Sequence, residues 1–250
     1  MWPYPKVVAH RGGGKLAPEN TLAAMRCGFE HGFRAVEFDV MLASDGVAIL
    51  MHDERLGRTV AGSGDISAFS SAALTTMDAG SWFAPQYAGE PVPLFADIAR
   101  YCKEYGIWMN VEIKPVPGHE EQTGVVAAQV IAQVFAAEIA TGVAAQQLPL
   151  FSSFSFVSVQ AALHALPQVP RAWLVDTIPA DWPARLAELD AVALHTNHKN
   201  LTPELARAIK AAGYGLFCYT VNDLGRAAEI RHWGVDGFCT DRIDLIPANF

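Results

Sequence analysis

Short β-branched and apolar runs alternate along this chain with longer segments whose apolar positions recur every three to four residues. The strand-like runs fall at 7–10, 35–42, 107–113, 148–151, 172–175, 191–195, 216–221 and 237–240. Helix-like segments lie between them at 19–32, 95–105, 119–140, 156–166, 182–189, 203–212 and 224–233. The punctuation agrees, since Gly32, Gly106, Gly213 and Gly234 follow the last periodic residue and Thr202-Pro203 supplies an N-cap with a first-turn proline. This alternation predicts an α/β protein, a TIM (β/α)8 barrel in preference to an open doubly wound sheet. One stretch, about 44–93, breaks the rhythm with a hairpin, a Gly/Ser-rich run and Gly89-Glu90-Pro91-Val92-Pro93. It reads as a small insertion after the second strand of a single domain spanning 1–250, and long insertions in compact domains are usually functional.

Composition sharpens this picture. The 250 residues are 51% apolar and 18% charged, enough for a large core and incompatible with a disordered chain. A net charge of −8 with no cluster of Lys and Arg longer than two argues against nucleic acid as a partner. Cys27, Cys102, Cys218 and Cys239 lack any C-x-x-C spacing and read as reduced thiols of a cytoplasmic chain. The first residues show no export signal, and the apolar stretch 124–140 is interrupted by Gln129, Gln133 and Glu138, so it predicts a buried helix and no membrane span.

His10-Arg11-Gly12-Gly13-Gly14 follows the first strand and leads to Pro18-Glu19-Asn20-Thr21 at a helix start. Glycines let backbone approach a ligand, and the adjacent guanidinium suits a phosphate or carboxylate. Glu19 and Asn20 fit helix capping equally well. His10 stands at the C-terminal end of a barrel strand, where barrel enzymes carry their chemistry; the alternative is a half-buried imidazole with satisfied bonds.

In Val36-Glu37-Phe38-Asp39-Val40, period-two geometry puts Glu37 and Asp39 on one face, about 6.5 Å apart at the backbone. Two carboxylates on an apolar central strand need a cation between them, or one must be protonated. If Asp45-Gly46 forms a two-residue turn, Ser44 pairs with Val47 and Asp39 with His52, which delivers His52 to the carboxylates. His10 and His52 then flank one site, the pair that acid and base work near neutral pH requires. Asn110-Val111-Glu112-Ile113-Lys114-Pro115 ends the third barrel strand with Glu112 and Lys114 facing inward, a third carboxylate and an ammonium suited to a divalent ion and a phosphate. A structural Glu–Lys pair is the plainer alternative. Ser152-Ser153 fits capping better than ligand binding, His195 has no assigned role, and 219–222 and 237–241 close the last two strands, where phosphate sites often lie.

His10-Arg11-Gly12, Pro18-Glu19-Asn20-Thr21, Glu37-x-Asp39, His52-Asp53, Glu112-x-Lys114 and Thr220-Val221-Asn222, in that order, resemble the glycerophosphodiester phosphodiesterase family over essentially the whole chain. The resemblance implies a TIM barrel with a small insertion after the second strand and one divalent cation, Mg2+ or Ca2+, held by Glu37, Asp39 and Glu112. It implies general acid and base roles for His10 and His52, phosphate contacts from Arg11 and Lys114, and an aromatic substrate wall at Tyr219. The implied reaction is metal-dependent hydrolysis of small-molecule glycerophosphodiesters, such as glycerophosphocholine and glycerophosphoethanolamine, to sn-glycerol 3-phosphate and an alcohol, within glycerol and lipid metabolism. One departure is Tyr219 itself, where the family often has a tryptophan; it bears on the wall and on leaving-group preference. A non-catalytic phosphodiester-binding barrel and another metal-dependent barrel enzyme are the competing readings, and a homo-oligomer is left open.

Overall fold

The computed structural model describes residues 2–250. Among them, one sheet contains β1 (Val7–Ala9), β2 (Ala35–Leu42), β3 (Ala48–Leu50), β4 (Trp108–Ile113), β5 (Leu150–Ser153), β6 (Arg171–Val175), β7 (Ala193–Asn197), β8 (Gly215–Tyr219) and β9 (Gly237–Thr240). All but β3 are parallel neighbours, and the ring closes where Ala9 of β1 pairs with Val36 of β2. β4 occupies one edge of β2, so β1 and then the antiparallel β3 share the other. The fold is therefore the expected eight-stranded parallel barrel.

Helices α1 (Leu22–Glu30), α2 (Ser71–Leu74), α3 (Phe95–Glu104), α4 (Glu120–Val134), α5 (Ala136–Thr141), α6 (Phe156–Ala165), α7 (Trp182–Glu188), α8 (Pro203–Ala211) and α9 (Leu224–His232) run between the strands. β2 is buried along its whole length because one face packs beneath the helices and the other faces the barrel interior. Val36, Phe38 and Val40 point outward into the layer beneath the helices, where Phe38 meets Phe95 of α3 at 5.8 Å between ring centroids. Glu37 and Asp39 therefore point into the barrel. Trp2 and Tyr4 close the barrel bottom, edge to face at 4.8 Å, and Tyr4 lies 5.0 Å from Trp108. With that end filled by aromatic rings, a ligand reaches the interior from the opposite mouth.

Several boundaries differ from the pattern-based expectation, each for a physical reason. α1 begins at Leu22 because Asn20 has a left-handed φ of 58° and Thr21 caps the helix by accepting from the Ala24 amide. The helix expected over 119–140 breaks at Phe135, whose φ of −106° and ψ of 25° leave the helical region. β5 and β7 extend two residues further toward the mouth than their apolar runs, through Ser152-Ser153 and Thr196-Asn197. Barrel strands carry polar side chains where they approach the ligand end, so hydrophobicity alone stops short.

The hairpin corrects the expected register by one residue. Val40 pairs with Leu50, Met41 with Ile49 and Leu42 with Ala48. The loop is Ser44-Asp45-Gly46, with Gly46 at a φ of 75° and its amide donating to Ala43 O at 2.9 Å. That is a type I turn followed by a left-handed glycine, a three-residue loop in place of the expected two-residue one. Met51, not His52, consequently lies opposite Asp39, its amide donating to Asp39 O at 3.2 Å. Met51 points into a second apolar cluster with Met41, Ile49, Val60, Ile66 and Leu74, which anchors the segment after β3.

Candidate active site

A cavity of about 220 Å³ opens at the C-terminal ends of the strands and is lined by His10, Arg11, Glu37, Asp39, His52, Glu112, Lys114 and Tyr219. Every site residue singled out in the sequence thus reaches one space. His52 arrives by a different route from the one expected: β3 ends at Leu50, and the chain bends past Met51 to carry His52 over the mouth.

Parallel pairing sets Asp39 beside Glu112 and Glu37 beside Asn110. Glu37, Asp39 and Glu112 each bring one oxygen within 4.8 Å of the others. Burial, reinforced by Asp39, pushes the Glu37 carboxyl up to about 7. Burial and then the charges of Asp39 and Glu37 drive Glu112 well above the usual carboxylate range. Burial also opposes ionisation of Asp39, but Arg11 and Lys114 outweigh it and hold its carboxyl low. Arg11 Nε lies 3.5 Å from Asp39 Oδ2, and Lys114 Nζ lies 3.6 Å from Asp39 Oδ1. Glu37 Oε1 is buried with no hydrogen-bond partner. Three converging hard oxygen donors, one of them orphaned and two reluctant to ionise alone, fit a divalent cation that prefers oxygen ligands.

Each histidine is backed by an aspartate. His10 Nδ1 meets Asp241 Oδ1 at 2.6 Å, while its Nε2 lies 3.7 Å from Glu37 Oε2. Burial acts to lower the pKa of His10, but Asp241 and Glu37 raise it more. Asn222 Nδ2 donates to Asp241 Oδ2 at 2.8 Å, and the Asp241 amide donates back to Asn222 Oδ1 at 2.8 Å. His52 Nδ1 meets Asp53 Oδ1 at 2.7 Å, and burial lowers the pKa of His52. In both dyads the aspartate engages Nδ1, which leaves Nε2 as the atom for the cavity.

The Arg11 amide donates to Glu37 Oε2 at 3.1 Å, and Arg11 Nη1 donates to Glu19 Oε1 at 2.7 Å. Glu19 and Asn20 are not caps. Glu19 pairs with Arg11 and with Arg58, and Asn20 bonds Asp39. Arg11 and Asn20 both have positive φ, 51° and 58°, a concentration of backbone strain typical of functional loops. The glycines after Arg11 serve chain packing: a Cβ on Gly14 would stand 2.2 Å from Asp241 O, so the loop can press against β9 only without one.

Tyr219 offers its ring, since its hydroxyl donates to Val175 O at 2.9 Å. Phe154 stands edge to face against that ring at 5.7 Å. Ser153 donates to Ile113 O and accepts from the Ser155 amide, so it is structural. His195 lines the cavity, fully buried with both ring nitrogens unpartnered, and burial pushes its pKa down to about 3. Sequence reasoning also missed Asp241 as the partner of His10 and missed Arg58 altogether. Thr240-Asp241 at a strand end was the one available signal for the first; a lone arginine in a Gly/Ser-rich stretch gave none for the second.

A parallel barrel that gathers carboxylates, histidines and cations at its C-terminal mouth has the build of a barrel hydrolase acting on an anionic ester. The sequence model of the glycerophosphoryl diester phosphodiesterase family matches residues 10–245, and the chain belongs to that family. It is 34% identical to YhdW of Bacillus subtilis over 96% of either chain. It is 30% identical to a glycerophosphodiester phosphodiesterase of Caldanaerobacter subterraneus, over 94% of this chain and 93% of the other. A phosphodiesterase of Oleispira antarctica, solved with the product sn-glycerol-3-phosphate, superimposes with a TM-score of 0.86 at 34% identity, covering 95% of this chain and 93% of that one. The protein is accordingly an enzyme of the glycerophosphodiester phosphodiesterase class. Among the described residues, no helix is long and apolar enough to cross a membrane.

Proposed function

We propose that this enzyme hydrolyses glycerophosphodiesters, glycerophosphocholine and glycerophosphoethanolamine among them, to sn-glycerol 3-phosphate and the free alcohol. The observation that carries the reading is the arrival of two aspartate-backed histidines, from separate parts of the chain, in one cavity with three carboxylates. Glu37, Asp39 and Glu112 are the residues that would hold a divalent cation, Mg2+ or Ca2+. Bound there, the cation supplies Lewis-acid stabilisation of charge on the phosphoryl oxygens. Arg11 and Lys114 orient the phosphodiester and offset the charge that spreads over it on the way to the transition state. One histidine accepts a proton at Nε2 from the attacking hydroxyl, and the other donates from Nε2 to the departing alkoxide as its bond to phosphorus breaks. Attack by water gives sn-glycerol 3-phosphate directly; attack by the glycerol hydroxyl gives a cyclic phosphodiester, which water then opens to the same product with the two histidines exchanging roles. The Tyr219 ring, with Phe154 against it, forms the wall beside the alcohol.

All of these groups belong to one copy of the enzyme. Its free cysteines, three of them buried, support a cytoplasmic enzyme.

The test is release of sn-glycerol 3-phosphate from several glycerophosphodiesters after chelation and after return of Mg2+ or Ca2+. Loss of turnover with EDTA, recovery with metal, and a folded but inactive His52→Ala variant are expected. Equal rates with and without chelator, or wild-type rates for His52→Ala, would overturn the reading.

A further inference from the structure

We propose that Arg58 is a positioning residue that sets His52 and Arg11 together; the inference rests on the reading above, in which those two residues serve the reaction. Arg58 lies on the segment after β3, and its side chain is 45% exposed. An exposed ion pair ordinarily contributes little to stability. This guanidinium instead makes four directed bonds, two to each of two carboxylates. Nε and Nη2 donate to Asp53 Oδ2 and Oδ1 at 2.5 and 3.0 Å. Nη1 and Nη2 donate to Glu19 Oε2 and Oε1 at 2.7 and 2.8 Å.

Both carboxylates face on to site residues. Asp53 Oδ1 engages His52 Nδ1, and Glu19 Oε1 accepts from Arg11. One chain of hydrogen bonds therefore runs from His52 through Asp53, Arg58 and Glu19 to Arg11, and its two ends both line the cavity. The two ends belong to different parts of the fold, a loop after β1 and a bend after β3. A rigid planar fork can engage two carboxylates through two bonds each; a lysine ammonium, with three donors on one nitrogen and a flexible stem, cannot. Held by Arg58, Asp53 keeps the His52 proton on Nδ1 and Nε2 toward the cavity. Glu19, held by the same group, keeps the Arg11 guanidinium over the place where phosphate would sit.

The test separates positioning from simple anchoring of the segment. Arg55 provides the control, because it pairs with Asp65 on the same segment at 2.6 Å and both partners are well exposed. Steady-state kinetics on glycerophosphocholine with the metal-loaded enzyme should show Arg58→Ala lowering kcat roughly 10- to 100-fold and raising KM, the size of effect that a misplaced catalytic group produces. Asp53→Asn should reproduce the kcat loss and Glu19→Gln the rise in KM. Arg58→Ala should then add little to kcat in the Asp53→Asn background, and guanidinium ion in the millimolar range should restore part of the single variant's rate. Arg55→Ala should leave both constants unchanged.

Wild-type constants for a folded Arg58→Ala, losses fully additive with Asp53→Asn, or an equal loss in Arg55→Ala would each overturn the proposal. A wild-type enzyme that releases no sn-glycerol 3-phosphate would count against the functional reading alone. The tautomer of His52, read by 15N NMR, decides the positioning claim independently of activity. Protonation at Nδ1 in the wild type and a mixture in Arg58→Ala or Arg58→Lys is expected; an unchanged tautomer would refute it.

Discussion

Asn20 and Asp39 grip each other twice: Asn20 Nδ2 donates to Asp39 Oδ2 at 2.8 Å, and the Asp39 amide donates to Asn20 Oδ1 at 3.1 Å. Both residues are buried, and Asn20 sits at a φ of 58° that asparagine tolerates better than most residues. The pair ties the loop after β1 to the strand that presents two of the three carboxylates. Asn20→Ala removes both bonds and leaves alanine in a left-handed backbone. The expected cost is roughly 2–4 kcal/mol of stability. Metal affinity should fall with it, because Asp39 loses the contact that orients it. Urea unfolding and calorimetric titration with Mg2+ and Ca2+ check the two effects; an unchanged midpoint would show that the reciprocal bonds carry no weight.

Asp241 and Asn222 form a similar clasp around the first histidine. Burial acts to raise the Asp241 carboxyl, but the His10 hydrogen bond and Asn222 draw it down to about 2. It is therefore ionised throughout the neutral range and contributes no limb to a rate profile between pH 5 and 9. Asp241→Asn retains the shape and removes the charge that fixes the His10 proton on Nδ1. We expect kcat to fall on the order of 10²-fold, with Asn222→Ala losing less because the carboxylate itself remains. Equal rates for Asp241→Asn and the wild type would remove His10 from proton transfer.

The three-carboxylate cluster makes stability depend on pH and on metal in opposite senses. In metal-free protein the folded pKa of Glu37 lies near 7, above its ordinary value of 4.5. A raised carboxyl contributes stability that is complete below the unfolded pKa and is lost as pH climbs through the folded one. Metal-free wild type should thus lose stability between about pH 4.5 and 7 relative to Glu37→Gln, which cannot ionise. The gap should reach roughly 2–4 kcal/mol at pH 8 and vanish near pH 4. Saturating Mg2+ or Ca2+ should reverse the order, since the cation favours the ionised form and glutamine is a poorer ligand. Melting curves of both proteins at several pH values, with EDTA or with metal, measure this; parallel curves in EDTA contradict it.

What could be read from one sequence follows from how local each signal is. Both ends of β2 are legible because β-branched and aromatic residues alternate with Glu37 and Asp39 and apolar content marks its limits. Glu112 and Lys114 were legible by the same period-two rule. A two-residue turn would bring His52 to the cavity by pairing with Asp39; that pairing does not form, and the bend after β3 delivers His52 there instead. Asp241 is 231 positions from His10 and Arg58 is 39 from Glu19. No periodicity connects such pairs, because closure of the barrel and the path of the segment after β3 bring them together. Asn20 illustrates a further limit: before a helix, an asparagine that caps and one that reaches across to a neighbouring strand look alike.

Tyr219 separates the use of an aromatic face from the use of a hydroxyl. Its oxygen donates to Val175 O at 2.9 Å, tying β8 to β6, while its ring meets Phe154 edge to face at the cavity mouth. Were the hydroxyl a phosphate ligand, Tyr219→Phe would impair turnover as severely as Tyr219→Ala. With the hydroxyl already engaged, the phenylalanine variant should lose about 1 kcal/mol of stability and much less activity than the alanine variant. Tyr219→Ala opens the wall and should raise KM chiefly through the alcohol portion, so the effect should vary among glycerophosphocholine, glycerophosphoethanolamine and glycerophosphoglycerol. Kinetics of both variants across the three substrates decide the matter: a uniform loss in Tyr219→Phe would assign the hydroxyl to the phosphate, and a headgroup-dependent loss confined to Tyr219→Ala assigns the ring to the leaving alcohol.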